Sequence, residues 1–416
     1  MEKIPHAAFY INHHGDKDWL IEQLTNGGLP ADTISLDNLK GEVFSNKTLS
    51  YFIDEEIRHD HYEIEAGKNN VLNRSSSGEQ RKALLQYIIA KKPGYIIIDG
   101  VFDSLDKLTR QSLQSTLQQL SATTLLIQLF SRKNELLNFI DRVYILNGRL
   151  SMICLNQETF IAQANLEQPD VFIGSIPPPI KKYDLPNGPL VKMNQVAVQF
   201  DGRPILKGIC WEINAGEFWQ LVGPNGSGKS TLLSLITGNS PKGYGQDLTL
   251  FGHKKGSGET VWQIKEKIGY FTPSMTLQFE RQDSIEQMII SGFFDSVGLY
   301  IVPSDLQIHL ARQWLLLIGM YKDKNQPFRL FPEGHQRMIL IARAMVKHPP
   351  LLILDEPTAG LDDEMAALFT ALIHKIAAET TTAILYVSHK DEQGLSPDKI
   401  FELVQKEEGS AGRIVR

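Results

Sequence analysis

The stretch GPNGSGKST, residues 223–231, has the full pattern of a phosphate-binding loop. The apolar run before it, residues 218–222, predicts a strand, and apolar positions within residues 232–236 predict the buried face of a helix. Glycines let the backbone turn, so that successive N–H groups and the helix N-terminus form an anion-binding nest. Lys229 is expected to reach the β- and γ-phosphates, and the Ser230 hydroxyl to bind Mg²⁺. The alternative, a glycine- and serine-rich turn before an ordinary helix, is disfavoured by this strand–helix context.

Length and composition set the class of protein. The chain has 416 residues, a net charge of −6 and a pI near 6.0, which predicts two or three domains and argues against nucleic-acid binding through bulk charge. Its two cysteines, Cys154 and Cys210, are far apart, and buried, reduced thiols in a cytosolic protein are the favoured interpretation. With no secretory signal and no apolar run long enough to span a membrane, we expect a cytoplasmic protein that could be peripheral at the inner face of the membrane.

A proline-rich segment divides the chain. Residues 165–190 contain six prolines, three of them consecutive at 177–179, and such a run cannot continue a helix or a sheet ladder. We therefore predict a first domain over residues 1–164, a linker over 165–190 and a second domain over 191–416. A long surface loop within one domain is the alternative.

The two halves of the chain repeat each other. SSGEQRK at 76–82 matches PEGHQRM at 332–338, and YIIIDGVFDSLD at 95–106 matches LLILDEPTAGLD at 351–362, both at an offset of 256 residues. Near the N-terminus, Gly15 matches Gly226 at an offset of 211. The first half therefore lacks 256 − 211 = 45 residues between its loop and its later motifs. Both halves are predicted to be one βαβ-type nucleotide-binding unit.

Acidic residues and a histidine follow the next predicted strands of the second half. Four apolar residues, 351–354, run into Asp355 and Glu356. Beside a phosphate loop, Asp355 would hold Mg²⁺ and Glu356 would orient or deprotonate the attacking water. His389 follows the predicted strand at 383–387, and a role in sensing or polarising the γ-phosphate is favoured over that of an ordinary surface residue.

The order of these motifs resembles the nucleotide-binding domains of ATP-binding cassette (ABC) ATPases. The resemblance covers nearly all of the second half and, more weakly, the first. Residues 256–271 and 291–300 resemble the ModF/photorepair type of tandem ABC protein, whose naming implies a link to molybdate transport. The fold implied is an α/β P-loop NTPase with two ABC-type domains in tandem, the first shortened and degenerate.

The resemblance also implies a set of site residues with ATP and Mg²⁺ as cofactors. Phe200 stands where the family stacks an aromatic ring on adenine, although a core phenylalanine is the alternative. The family's glutamine after IGY is not matched, because Pro273 and Ser274 occupy that place. The predicted catalytic residues are Glu356, His389 and Lys229, with Ser230 and Asp355 at the metal. The predicted nucleotide-binding residues are Phe200, Gly223, Pro224, Asn225, Gly226, Ser227, Gly228, Lys229, Ser230, Thr231, Ser76, Ser77 and Gly78.

The first half has lost the residues that would hold a nucleotide in its own loop. Asp18 occupies the position of the loop lysine and Trp19 that of the metal-binding hydroxyl. A carboxylate placed against a triphosphate is repulsive. Gly100 replaces the catalytic glutamate, and no histidine occurs between Ser121 and Arg142. We therefore expect no hydrolysis through the first loop.

In the family, the loop of one domain faces a serine–glycine signature of the other. Here the first half keeps Ser76, Ser77 and Gly78, whereas Pro332 replaces the serine in the second half. This pattern predicts one composite site, in which the first-half signature completes the second-half loop. The alternative is a flexible loop in which serine merely caps a helix that starts at Glu79.

The predicted function is ATP hydrolysis at one asymmetric site, with the two halves pairing within the chain. The resemblance implies that the chain could energise a separate membrane permease of the molybdate type, docked on the helical segment between residues 274 and 332. The alternative is an ATP-gated regulator or binding module with negligible hydrolysis. Pairing of two chains through their second halves is disfavoured by Pro332.

Overall fold

The computed structural model describes residues 4–415 except 13–14, 30–32, 35, 37–38, 60, 66–70, 103–104, 106, 148–150, 164–171, 173, 186, 280, 390–391 and 393. The chain forms two compact units. The first comprises residues 1–168 with residues 360–366, and the second comprises residues 169–359 with residues 367–416.

The first unit alternates strands and helices along the chain. Its strands are β1 (Ala7–Ile11), β2 (Gly41–Ser45), β3 (Tyr95–Asp99), β4 (Leu125–Phe130), β5 (Arg142–Asn147) and β6 (Ser151–Asn156). Its helices are α1 (Lys17–Asn26), α2 (Asn46–His59), α3 (Ser77–Ala90), α4 (Lys107–Leu120) and α5 (Gln157–Gln163).

These strands form a sheet in the order β2-β3-β4-β1-β5-β6, parallel throughout except for the antiparallel pair β5–β6. Alternate residues of β3 enter different cores. Ile97 packs in the cluster that contains Leu20 of α1, and Ile96 packs in the cluster that contains Leu84 of α3 and Leu113 of α4. Both faces of the sheet are therefore covered by helices, which explains why β3 is apolar along its length.

Residues 360–366 also belong to the first unit. Within it, Arg132 Nε donates to the carbonyl oxygen of Leu361 at 2.5 Å. The backbone N–H of Lys133 donates to Asp363 Oδ2 at 2.8 Å, and the N–H of Asp363 donates to the carbonyl of Ser131 at 3.2 Å. A short backbone-mediated network thus fixes this segment against the loop after β4.

The second unit contains the phosphate-binding loop. Its strands are β7 (Val191–Phe200), β8 (Arg203–Ile213), β9 (Phe218–Val222), β10 (Asp247–Leu250), β11 (His253–Lys254), β12 (Ile268–Phe271), β13 (Leu351–Asp355), β14 (Ala383–Val387), β15 (Lys399–Val404) and β16 (Ala411–Ile414). Its helices are α6 (Lys229–Ile236), α7 (Val261–Glu266), α8 (Ile285–Ser291), α9 (Asp305–Leu317), α10 (Glu333–Met345) and α11 (Asp363–Glu379), of which α11 begins within residues 360–366 of the first unit.

Strand order in the second unit repeats that of the first. The main sheet runs β12-β13-β14-β9-β15-β16, again parallel except for its last pair, β15–β16. An additional antiparallel sheet, β11-β10-β7-β8, precedes and flanks it. The predicted α/β fold with a repeated nucleotide-binding unit is confirmed.

The core of the second unit joins its two sheets. Trp211 of β8 stacks on Phe401 of β15 with ring centroids 4.2 Å apart, and its ring meets Trp219 of β9 edge-on at 5.5 Å. All three side chains are at most 2% exposed. Burial of such large rings contributes several kcal/mol, about 1.5–3 kcal/mol for each fully buried side chain, and it fixes β9, the strand that leads into the phosphate loop.

The part of the proline-rich segment that the structure describes packs on the second unit without forming helix or strand. Pro177 is buried and its carbonyl contacts His348 Nε2 at 2.6 Å, while the N–H of Ile176 donates to Glu379 at 2.7 Å. Residues 165–171, 173 and 186 of the predicted linker lie outside the described residues.

The structure also shows where the two cysteines lie. The prediction that both cysteines are buried is wrong, because Cys154 and Cys210 are free thiols on exposed positions of β6 and β8. Both strands lie at a sheet edge with one face toward solvent.

Within the described ranges, no helix has the length and apolar character needed to cross a bilayer.

Candidate active site

The phosphate-binding loop lies between β9 and α6 and has a left-handed turn at its end. Gly226 and Gly228 have φ values of 76° and 93°, which a side chain rarely adopts. A Cβ at Gly228 would also come within 2.8 Å of Leu206 Cδ2. The loop thus leads through glycines into the N-terminus of α6, where no side chain caps the helix, the arrangement found at anion-binding helix N-termini.

Polar groups of this loop fit a bound phosphate. The Ser227 side chain is fully buried, and its hydroxyl has no hydrogen-bond partner among the described residues. A buried hydroxyl without a partner costs free energy unless a ligand satisfies it. Lys229 is 7% exposed and its ammonium donates to the carbonyls of Gly223 and Pro224 at 2.7 and 3.0 Å. The predicted loop residues thus surround one polar cradle.

Three predicted catalytic side chains converge beside this cradle. His389 Nδ1 lies 3.1 Å from Lys229 Nζ and 3.2 Å from the carbonyl oxygen of Gly223, and His389 Nε2 forms an ion pair with Glu356. The Nε2–H of the ring donates to the carboxylate, and Nδ1 is within hydrogen-bond distance of both the ammonium and the carbonyl oxygen. The histidine therefore links the loop lysine to the acidic residue after β13.

Glu356 has an unusual backbone conformation. Its φ is +49°, and its N–H donates to the carbonyl of Val387 on β14 at 2.9 Å. A left-handed conformation costs a non-glycine residue about 1–2 kcal/mol. Such strain is common where a side chain must point into a functional site, and here it brings the carboxylate to His389.

Asp355, the last residue of β13, lies beside Glu356 in a partly buried position. Burial and the neighbouring Glu356 raise the pKa of the Asp355 carboxyl above its usual value. The hydroxyl of Tyr270 on β12 donates to Asp355 Oδ2 at 3.4 Å. With Ser230, which is exposed at the start of α6, Asp355 supplies the oxygen ligands that Mg²⁺ prefers. The residues present therefore fit both a phosphate group and Mg²⁺.

The remaining loop residues predicted for the nucleotide lie around this cradle. Pro224 is exposed, and Asn225 and Thr231 are half-buried. Phe200 is the last residue of β7 and is 44% exposed, with Lys242 Nζ 5.6 Å from its ring centroid. It is therefore not a core residue, and the Lys242 ammonium lies over one face of its ring.

The corresponding loop of the first unit is satisfied by its own side chains. Asp16, the N-cap of α1 as Gly228 is of α6, accepts the N–H of Trp19 at 2.9 Å. Lys17 forms an ion pair at 3.0 Å with Asp99, which ends β3 as Asp355 ends β13. Lys17, and not the predicted Asp18, begins α1 as Lys229 begins α6, and the exposed Asp18 carboxylate lies 3.5 Å from Lys47 Nζ. His13 and His14 of this loop lie outside the described residues.

Two other catalytic positions are also altered in the first unit. Gly100 replaces Glu356 and has the same left-handed backbone, with φ +59°. Counted from the paired strands β3–β4 and β13–β14, Ser131 occupies the position of His389. The first unit therefore keeps the backbone of the site without its acid or its histidine.

The serine-rich stretch before α3 forms a capping box. Ser76 is the N-cap of α3, its hydroxyl and N–H donate to Glu79 Oε2 at 2.7 and 2.9 Å, and the N–H of Glu79 approaches Ser76 Oγ at 3.4 Å. The helix begins at Ser77 rather than at Glu79, so the start expected in the alternative interpretation is wrong by two residues. Gly78 packs on Thr109, whose Cγ2 would lie 2.8 Å from a Cβ at that position. In the second unit the corresponding N-cap, Pro332, makes no side-chain bond.

Comparisons with known proteins agree with this geometry. The family model described as ABC transporter matches residues 206–359. The chain is 41% identical over 329 residues to the ABC transporter ATP-binding protein ModF of Escherichia coli, covering 76% of this chain and 67% of that protein. It is 27% identical over 327 residues to an uncharacterized ABC transporter ATP-binding protein of Schizosaccharomyces pombe, covering 76% and 65%. The chain thus spans about two thirds of the length of each of these relatives.

A solved structure extends the likeness of fold to both units. A chain of the ribosome-bound archaeal Pelota and ABCE1 assembly superposes with a TM-score of 0.65 at 14% identity, covering 98% of this chain and 74% of that one. At this identity the likeness concerns the fold. The repeated sheet order and the loop at residues 223–231 define a P-loop NTPase. The chain belongs to the family of ABC transporter ATP-binding proteins, of the ModF type, and is an ATP hydrolase of that family.

Proposed function

We propose that this protein hydrolyses MgATP at one site, built on the loop of the second unit. The observation that carries the proposal is the convergence of Lys229, His389 and Glu356 beside the loop. The residues in place of His389 and Glu356 in the first unit are Ser131 and Gly100, which supply no such chemistry.

Each residue has a distinct task in this proposal. The Lys229 ammonium, which donates to the carbonyls of Gly223 and Pro224 without nucleotide, would donate to the β- and γ-phosphates when ATP is bound. Glu356 orients the attacking water and accepts its proton, while His389 holds the carboxylate in place. Ser230 and Asp355 would hold Mg²⁺, which neutralises charge on the transferred phosphoryl group when bound. Phe200 would stack on the adenine.

Steady-state release of phosphate from MgATP tests this assignment. Glu356→Gln and Lys229→Ala should each lower turnover at least about 100-fold, as expected for loss of a general base or of a phosphate contact. Asp18→Ala changes an exposed residue in the first turn of α1 and should leave turnover unchanged. Equal turnover in the wild type and Glu356→Gln would contradict the proposal.

We also propose that Ser76, Ser77 and Gly78 complete the site from the first unit, which requires the two units, 1–164 and 191–416 as functional domains, to pair within one chain. The support is the asymmetry of the two signatures: a serine N-cap precedes α3, whereas Pro332 offers neither hydroxyl nor N–H. Ser76→Gly removes the hydroxyl and costs the helix only a few tenths of a kcal/mol. It should weaken ATP binding and turnover, whereas Pro332→Ala should not. Unchanged ATP affinity and turnover in Ser76→Gly and in a Gly78 variant would refute the composite site.

A second candidate function is an ATP-gated regulator with negligible hydrolysis. The observation that favours it is the capping box, because Glu79 already satisfies the N-terminus of α3 and places a carboxylate where a phosphate would approach. Under this alternative, nucleotide binding persists in Glu356→Gln and turnover in the wild type does not exceed that of the variant.

The partner that fits the family is a separate membrane permease, with transport of the molybdate type suggested by the name of the Escherichia coli relative. The segment between residues 274 and 332 exposes large apolar side chains, among them Leu277 (78%), Tyr300 (68%) and Val302 (92%). Exposed apolar patches of this kind are typical of protein interfaces. A docked permease would hold this protein, otherwise cytoplasmic, at the inner face of the membrane. Retention of the full chain in washed membranes, lost in Val302→Asp, would support this partner, whereas equal recovery of both from the soluble fraction would refute it.

A further inference from the structure

Tyr270 is the residue of β12 that reaches the metal-binding carboxylate. Its hydroxyl lies 3.4 Å from Asp355 Oδ2, and its ring packs against the core beneath α6. The ring is therefore held by packing, and the hydroxyl addresses one oxygen of Asp355. The other carboxylate oxygen remains for a ligand. Groups that orient a metal ligand from behind in this way raise metal affinity without touching the metal.

The end of β12 offers no amide side chain for the same purpose. Thr272 makes no side-chain capping bond, and Pro273 starts a short 3₁₀ helix, Pro273–Leu277. The backbone carbonyl of Pro273 accepts the hydroxyl of Thr276 at 2.8 Å. The turn after β12 thus forms a hydrogen bond within itself. Among the described residues of β12, Tyr270 is the one whose side chain donates to Asp355.

The first unit provides a comparison within the same chain. Tyr270 pairs with Ile353 on β13, and the residue in the same register of the first unit is Val43, which pairs with Ile97. There the terminal carboxylate, Asp99, is held by the ammonium of Lys17 instead. The second unit thus has the Tyr270 hydroxyl beside Asp355, the proposed metal ligand. The first unit has no hydroxyl at the position of Tyr270, and there Asp99 pairs with the Lys17 ammonium.

From these observations we infer that Tyr270 is a positioning residue for Mg²⁺, holding Asp355 through its hydroxyl. The inference rests on the proposed MgATP site of the second unit.

Tyr270→Phe tests this assignment because it removes the hydroxyl and leaves the ring. The half-saturating concentration of Mg²⁺ is measured in the full chain from the thermal shift with the non-hydrolysable analogue adenosine 5′-(β,γ-imido)triphosphate. The variant should need about 10-fold more Mg²⁺ than the wild type, the lower end for loss of a partner behind a metal ligand. Affinity for the same analogue in EDTA should be unchanged.

Tyr87→Phe is the matched control, since the Tyr87 hydroxyl also donates to a carboxylate, that of Glu63 at 2.6 Å, within the first unit. It should leave the Mg²⁺ requirement as in the wild type. An unaltered Mg²⁺ requirement in Tyr270→Phe, or an equal loss of affinity with and without Mg²⁺, would overturn the inference. Because the readout needs no hydrolysis, absence of turnover in the wild type would contradict the proposed function alone.

Discussion

The left-handed backbone at Glu356 predicts an inverted order of stability between two substitutions. Glu356→Ala and Glu356→Gly both remove the carboxylate and its contact with His389, so this loss cancels in their comparison. At an ordinary helical or extended position, the alanine variant is the more stable of the two. At φ +49° the glycine variant should be the more stable.

The size of the difference follows from two opposing effects. The left-handed conformation costs alanine about 1–2 kcal/mol, and glycine costs about 0.4–1 kcal/mol through the greater freedom of the unfolded chain. Their balance leaves the glycine variant roughly 0.5–1 kcal/mol more stable. For a unit of this size, that free energy corresponds to a rise in Tm of about 1–4 °C.

Differential scanning calorimetry of both variants without nucleotide measures this difference directly. Ala371→Gly, within α11, serves as the control, and there glycine should lower the free energy of unfolding by about 1 kcal/mol. If Glu356→Ala proved as stable as Glu356→Gly while the control behaved normally, the strain assigned to Glu356 would not exist.

Three further outcomes follow from the site geometry. Gly228→Ala should abolish binding of ATP, which equilibrium dialysis checks. It should also destabilise the second unit by more than 1 kcal/mol, measured by urea unfolding, because a left-handed alanine costs roughly that amount and its Cβ would also press on Leu206. Lys17→Met leaves Asp99, which is 8% exposed, without its cation and should lower the free energy of unfolding of the first unit by about 1–2 kcal/mol. The double variant Lys17→Met, Asp99→Asn should regain most of this loss. A double-mutant cycle by urea unfolding measures this, and additive effects of the two substitutions would contradict it. Asp355→Asn should stabilise the protein without nucleotide at pH 7: the folded pKa is raised, so Asp355 stabilises the fold while protonated and that contribution is lost as the pH rises through the folded pKa. The Tm advantage of the variant should therefore shrink as the pH falls below that pKa, and an advantage that grew on acidification would contradict the assigned cause.

Much of the fold and of the second-unit site could be predicted from sequence, because the relevant signals are local. The phosphate loop is contiguous, and Asp355 and Glu356 directly follow a buried strand. Parallel strands deliver their carboxyl ends to one edge, so His389, which follows β14, lies near them. The repeat within the chain extended the same prediction to the first unit.

What the sequence did not reveal depends on backbone direction and on side chains from neighbouring strands. Tyr270 belongs to β12, distant in sequence from Asp355, and only the register with β13 brings the two together. Whether Asp16 or Asp18 caps α1 depends on where the helix begins, and residues one or two apart point in different directions. The capping box did have a sequence signal, because Ser76 and Glu79 have the S-x-x-E spacing.

The self-satisfied loop of the first unit has a consequence for folding in the cell. A unit that binds a nucleotide only when folded gains stability with nucleotide concentration, whereas a unit that supplies its own anion and cation does not. In the first unit, Asp16 supplies the anion at the N-terminus of α1, and Lys17 supplies the cation that pairs with Asp99. The loop of the first unit is therefore independent of the nucleotide supply, whereas the stability of the second unit rises and falls with the nucleotide concentration. When nucleotide is depleted, the second unit should be the first to open to proteases.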